Sequence, residues 1–151
     1  MTQKTPNQTK DKIILVATEM FTRLGYDASS IYHIAKNSGL TKATMYHHFG
    51  SKQNILEICA ENYVNDFIML SNSKAVKQAI KLFYQHAKDG CLIFNLLSTP
   101  NYQLVQHSVD EFIYKMEEML GEKLIDLMGA LMLRRVGLYD LDPVKKFYES
   151  L

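Results

Sequence analysis

Between Thr41 and Lys52 the chain gathers side chains suited to gripping a polyanion. Lys42, Ala43 and Thr44 open a short run, Tyr46, His47 and His48 close it, and Lys52 follows three residues after Phe49. Lys42 can donate to guanine O6 or N7. Thr44 can bond a base or a phosphate and lay its methyl on thymine, and Ala43 is small enough for the backbone to come close. A recognition helix needs this layout, with base-reading side chains at its N-terminal end and phosphate-holding groups around them. Lys52 and Ser30 each open a helix, where the positive end of the dipole favours a phosphate, and Tyr32 faces the groove edge.

These side chains need two crossed helices behind them. Ile31, Ile34 and Ala35 share one helical face, and Gly39 stands where a tight turn needs a positive φ. Ala35 lets a second helix cross closely, with Leu40 and Met45 filling the angle. Ser29 or Ser30, Thr41 and Ser51 are placed to N-cap three successive helices. Upstream, a helix over residues 10–24 carries Ile13, Ala17 and Phe21 on one stripe and Val16, Met20 and Leu24 on the next, and Gly25 ends it. Residues 1–9 are polar and aperiodic and read as a disordered arm, from which Lys4 and Lys10 can reach DNA.

The joint spacing of these residues resembles the TetR family of bacterial transcriptional regulators. Ile13, Ala17, Phe21, Gly25-Tyr26, Ser30, Ile34-Ala35, Gly39-Leu40 and the run Thr44-x-Tyr46-x-His48-Phe49-x-x-Lys52 carry the likeness, with Leu56 closing it. The resemblance covers roughly residues 10–57. It implies an all-α protein with an N-terminal three-helix helix-turn-helix DNA-binding domain, 10–53, and a helical effector-binding and dimerisation domain, 54–151, shorter than is usual. It implies that Tyr46 touches phosphate, that His47 touches base or backbone, and that His48 is a second backbone contact. It also implies subunits joined through a four-helix bundle, and release from DNA by a small molecule.

Composition narrows the alternatives. The chain has 151 residues and 47% apolar content, enough for a folded core. It has no apolar run of membrane-spanning length, no apolar signal-peptide core and only two cysteines, Cys59 and Cys91, so a cytoplasmic protein without a disulfide framework is expected. Seven basic residues face three acidic ones up to Lys52, against ten and thirteen beyond it, which gives a basic head on an acidic body. The sequence lacks a Gly-rich phosphate loop, a nucleophile-histidine-carboxylate grouping and metal-ligand spacing. No enzyme activity, metal or cofactor is expected.

The rest of the chain reads as helices at 52–70, 74–88, 91–97, 102–120, 122–139 and 144–151, with no strand-like alternation. Base contacts worth about 1–3 kcal/mol each are too few on one short helix, so a homodimer on a pseudo-palindromic operator is expected. Its surface is assigned to Leu124, Leu127, Met128, Leu131 and Met132, extended by Leu138 and Phe147. The effector implied by the family is a small apolar or aromatic molecule. Its candidate lining is Phe67, Phe83, Phe94, Tyr102, Phe112 and Met116, for each of which plain core packing is the competing reading. Two other readings stay open. One is a DNA-binding dimer with no ligand, or one controlled by a protein partner. The other is a thiol sensor through Cys91, which follows Gly90 at an expected helix N-terminus.

Overall fold

The computed structural model describes residues 6–72, 92–97 and 99–122, all helical or in the turns between helices. The helices expected at 74–88, 122–139 and 144–151 lie outside the described residues. So do Lys4, Phe83 and Cys91, and the assigned dimer surface at Leu124, Leu127, Met128, Leu131, Met132, Leu138 and Phe147.

Helix α1 spans Pro6–Leu24, so it begins four residues before the expected start, and Pro6 to Thr9 are helical rather than a free arm. Proline suits the first turn of a helix because its missing N–H would have no intrahelical partner there. Ile13, Ala17, Phe21 and Met20 are buried, as the apolar stripe requires. Leu24 is 58% exposed, and it lies on the rim of a groove with Val16, Met20, Arg23 and Asn37. Gly25 ends α1 by donating to Phe21 O at 3.1 Å.

Helices α2 (Ile31–Ser38) and α3 (Lys42–Phe49) form the crossed pair. Gly39 adopts φ 69°, ψ 34° after α2. Its N–H donates to Lys36 O at 3.0 Å, and that of Leu40 donates to Ala35 O at 2.9 Å. This paired closure turns the chain sharply into α3 and satisfies carbonyls that a helix end leaves open. Ile34, Ala35 and Met45 are buried in the angle, and Leu40 packs there half-buried.

Helix α4 (Lys52–Asn72) carries the head into the body. Ile55, Leu56, Cys59, Ala60, Val64 and Phe67 are buried along it, and it packs against both α1 and a later helix, α6 (Gln106–Leu120). Helix α5 (Leu92–Leu97) buries Leu92, Ile93 and Leu96. The single helix expected over 102–120 is divided. A 3-10 helix runs over Pro100–Val105, and α6 spans Gln106–Leu120. Val105 stands between them at φ −133°, ψ 32°, outside helical geometry but buried. The break falls where the Val105 side chain is buried in the core. Along α6, Val109, Phe112, Met116 and Leu120 face inward.

Gly39 has room for a methyl group, since an added Cβ would meet only Lys12 Nζ at 3.7 Å. The left-handed backbone alone therefore sets the cost of substitution. Gly39→Ala should lose about 1–2 kcal/mol in urea unfolding, and Gly39→Asn should lose less. Equal losses for the two variants would mean that the left-handed turn is not what Gly39 supplies.

Candidate nucleic-acid interface

Each of the first three turns leading into a helix of the head is capped by the residue expected to do it. Ser30 Oγ accepts from His33 N at 3.2 Å, Thr41 Oγ1 accepts from Thr44 N at 3.2 Å, and Ser51 Oγ accepts from Asn54 N at 3.0 Å. Thr44 Oγ1 lies 2.9 Å from Thr41 Oγ1, so the two threonines brace each other. The caps fix where α2 and α3 begin. Other first-turn N–H groups remain unpaired within the helix, and such groups can meet an anion.

Most of the side chains expected to meet DNA are exposed or half-buried on α2 and α3. Tyr32 (59% exposed) stands out from α2, with His33 and Lys36 also exposed. Lys42, Ala43, Tyr46 and His47 are exposed on α3, while Thr44 and His48 are half-buried. Lys42 Nζ lies 5.6 Å from the Tyr46 ring centroid, one helical turn on, which steadies both side chains. The His47 and His48 rings meet edge-on at 5.4 Å. Among the described residues no group of three or more His, Cys, Asp or Glu side chains is set to hold a metal.

Two features of this face were missed in the sequence reading although the sequence carries them. From Ala28 to Leu56 there is no Asp or Glu, so no carboxylate from α2, α3 or the first turn of α4 opposes a phosphate. His33 and Lys36 also belong to the exposed set. Burial, followed by the charges of Asp27 and Glu57, pushes the Tyr26 hydroxyl above its ordinary value, so the ring beside the head stays neutral.

Lys52 opens α4, as expected, and its side chain folds back onto the connection before α2. Its ammonium donates to Tyr26 O at 2.9 Å and to Ser29 O at 3.1 Å, and lies 4.0 Å from the Tyr26 ring centroid. Two carbonyls from 23 and 26 residues upstream take its charge.

The assigned effector lining is only partly brought together. Phe67 and Phe112 pack with ring centroids 4.9 Å apart and planes tilted by 55°, Tyr63 joins them 6.2 Å from Phe112, and Met116 is buried in the same core. Tyr102 is half-buried on the 3-10 helix, and Phe94 lies on α5. A groove of about 290 Å³ between α1 and α4 is lined instead by residues such as Asp11, Leu15, Thr18, Tyr63 and Asp66, over Cys59. Burial pushes the Cys59 thiol up to about 11, partly offset by Thr18, and its Sγ points to Ile14 O at 3.7 Å.

A capped helix-turn-helix with an exposed, acid-free second helix, set on a long helix of an all-helical body, has the architecture of a DNA-binding head. Residues 13–59 match the family described as bacterial regulatory proteins, tetR family. The biofilm operon icaADBC HTH-type negative transcriptional regulator IcaR of Staphylococcus aureus is 39% identical over 79 residues, a match taking in 50% of this chain and 42% of that protein. The protein of the same name from Staphylococcus epidermidis is 39% identical over 59 residues, 39% of this chain and 32% of the relative. The chain thus matches less than half the length of these curated relatives. Among solved structures, a TetR-family regulator from Agrobacterium tumefaciens superposes with a TM-score of 0.73 at 17% identity, covering 97% of this chain and 96% of its own. E. coli NemR in its reduced form gives 0.71 at 16% identity over 94% of both chains. The head, residues 13–59, thus matches the tetR family of bacterial regulatory proteins, and the chain shares the fold of solved TetR-family structures. Among the described residues, no helix is long and apolar enough to cross a membrane.

Two outcomes follow from this geometry. Thr41→Ala removes both the cap and the brace to Thr44, and should cost about 1 kcal/mol in urea unfolding; an unchanged midpoint would show that α3 does not depend on its cap. Cys59 should stay unmodified by iodoacetamide at about pH 8 in the native protein and react fully once unfolded, as peptide mass mapping would show. Its raised value stabilises the fold in full below the ordinary 9.0, and that contribution is lost as pH climbs through about 11. Rapid native labelling of Cys59 would contradict the buried placement.

Proposed function

We propose that this chain is a DNA-binding transcriptional regulator that acts as a homodimeric repressor on a pseudo-palindromic operator. The observation that carries the reading is the α2–α3 face, where Tyr32, Lys36, Lys42, Tyr46 and His47 are exposed along a stretch with no carboxylate. Within it, Lys42, Ala43 and Thr44 are assigned to base edges. Ser30, Tyr32, Thr41, Tyr46, His47 and His48 are assigned mainly to backbone. Repression is supported by the curated relatives, which are named negative regulators. A dimer is supported by arithmetic: two short helices about 34–36 Å apart read two half-sites, where one alone would hold too few bases.

Release by a small apolar or aromatic molecule completes the reading. Such a molecule must bind the geometry that does not fit DNA better than the one that does. The path for that change is supported by α4, a single 21-residue helix that begins at the head and packs on α6 in the body.

Selection of bound duplexes from a random pool at fixed moderate salt tests the reading. The expected product is a pseudo-palindrome with half-sites one helical turn apart. Lys42→Ala should lose about 1–3 kcal/mol of affinity for it and relax the preference at one base pair. Purely salt-sensitive binding with no enriched sequence would remove the assignment as a sequence-specific regulator.

A further inference from the structure

Lys52 binds inward at the point where the two DNA-reading helices are fastened. An ammonium has three N–H donors. Two carbonyls and the face of the Tyr26 ring surround this one. Its acceptors belong to an already ordered turn. Tyr26 O also accepts from Ser29 N at 3.2 Å, Ser29 is fully buried, and Ser29 Oγ donates to Gly25 O at 2.8 Å. The next residue, Ser30, is the N-cap of α2.

The same turn of α4 holds the other helix. Asn54 Nδ2 donates to Phe49 O, the last residue of α3, at 2.9 Å, and Gly50 turns the chain between them at φ 72°. The first turn of α4 therefore fixes the start of α2 on one side and the end of α3 on the other. Moving the Lys52 ammonium to a phosphate would break both carbonyl bonds and uncover the ring.

The geometry points to Lys52 as a positioning residue for DNA reading, one that clamps the α1–α2 connection to α4 and does not touch phosphate. The inference rests on the DNA-binding reading above, but the clamp can also be measured without DNA.

Two variants separate a clamp from a phosphate contact. Lys52→Met keeps most of the stem and removes the charge. Tyr26→Leu removes the ring and leaves every cation of the head in place. The probe is the duplex enriched by selection, titrated between about 50 and 200 mM salt. A clamp predicts that each variant weakens binding by about ten-fold, the scale of one charge-assisted hydrogen bond. The slope of log affinity against log salt should stay that of the parent, and the double variant should bind no worse than the weaker single one. A slope reduced by about 0.9 per protomer for Lys52→Met, with parental binding by Tyr26→Leu, would overturn the proposal.

Urea unfolding of the same four proteins gives a readout independent of DNA. The clamp predicts that the double variant loses clearly less stability than the two singles together, and strict additivity overturns it. If Lys52→Met does not fold, Lys52→Arg takes its place. It keeps the charge for a phosphate, but a planar guanidinium does not reproduce one compact nitrogen between two carbonyls. The clamp then predicts weakened binding, and unchanged affinity overturns it. If selection enriches no duplex, the DNA-binding reading fails while the urea cycle still decides the clamp.

Discussion

The first turn of α4 fastens the connection into α2 and the end of α3 to one another. There the Lys52 ammonium is drawn onto the Tyr26 and Ser29 carbonyls, Ser51 caps the helix, and Asn54 holds the end of α3. A charge leaves water for such a site only when its donors are matched, and here two carbonyls and an aromatic face match them. The α1–α2 connection is held from the body as well. Asn101 donates to the Asp27 carboxylate at 2.9 Å, and Asn95 donates to Thr22 O.

Much of the head was legible from residue types. Ser30, Thr41 and Ser51 could be read as caps, and Gly39 as a left-handed turn, because each depends on a few neighbouring residues. Ile13, Ala17, Phe21, Ile34 and Met45 followed from helical spacing. Three features were not legible, for different reasons. The start of α1 at Pro6 reads equally as a polar arm, since a first turn needs little apolar content. The break at Val105 depends on where one side chain is anchored, and the amphipathic period runs smoothly through it. Lys52 at a helix N-terminus suits a phosphate and a carbonyl alike, and its closeness to Tyr26 O and Ser29 O is a matter of tertiary placement that the sequence does not carry.

The aromatic residues of the body illustrate a further limit. Phe67, Phe112 and Met116 have the spacing of a core and the chemistry of a ligand pocket, and sequence alone does not divide the two. In the structure Phe67 and Phe112 pack against each other with tilted rings and Met116 is buried with them. The head differs because its function depends on what is exposed and on what is missing. A run from Ala28 to Leu56 without a carboxylate is a plain property of the sequence. It gains meaning once α2 and α3 are seen to present Tyr32, Lys36, Lys42 and Tyr46 together.

The central claim, that this acid-free face of α2 and α3 meets DNA, is tested most directly by titrating the ¹⁵N-labelled protein with duplex DNA and following its backbone amides. The account predicts that amides at the start of α2 and along α3 shift in proportion to bound DNA, while those of α6 stay in place. Shifts concentrated on α6, with the amides of α2 and α3 unmoved, would contradict it.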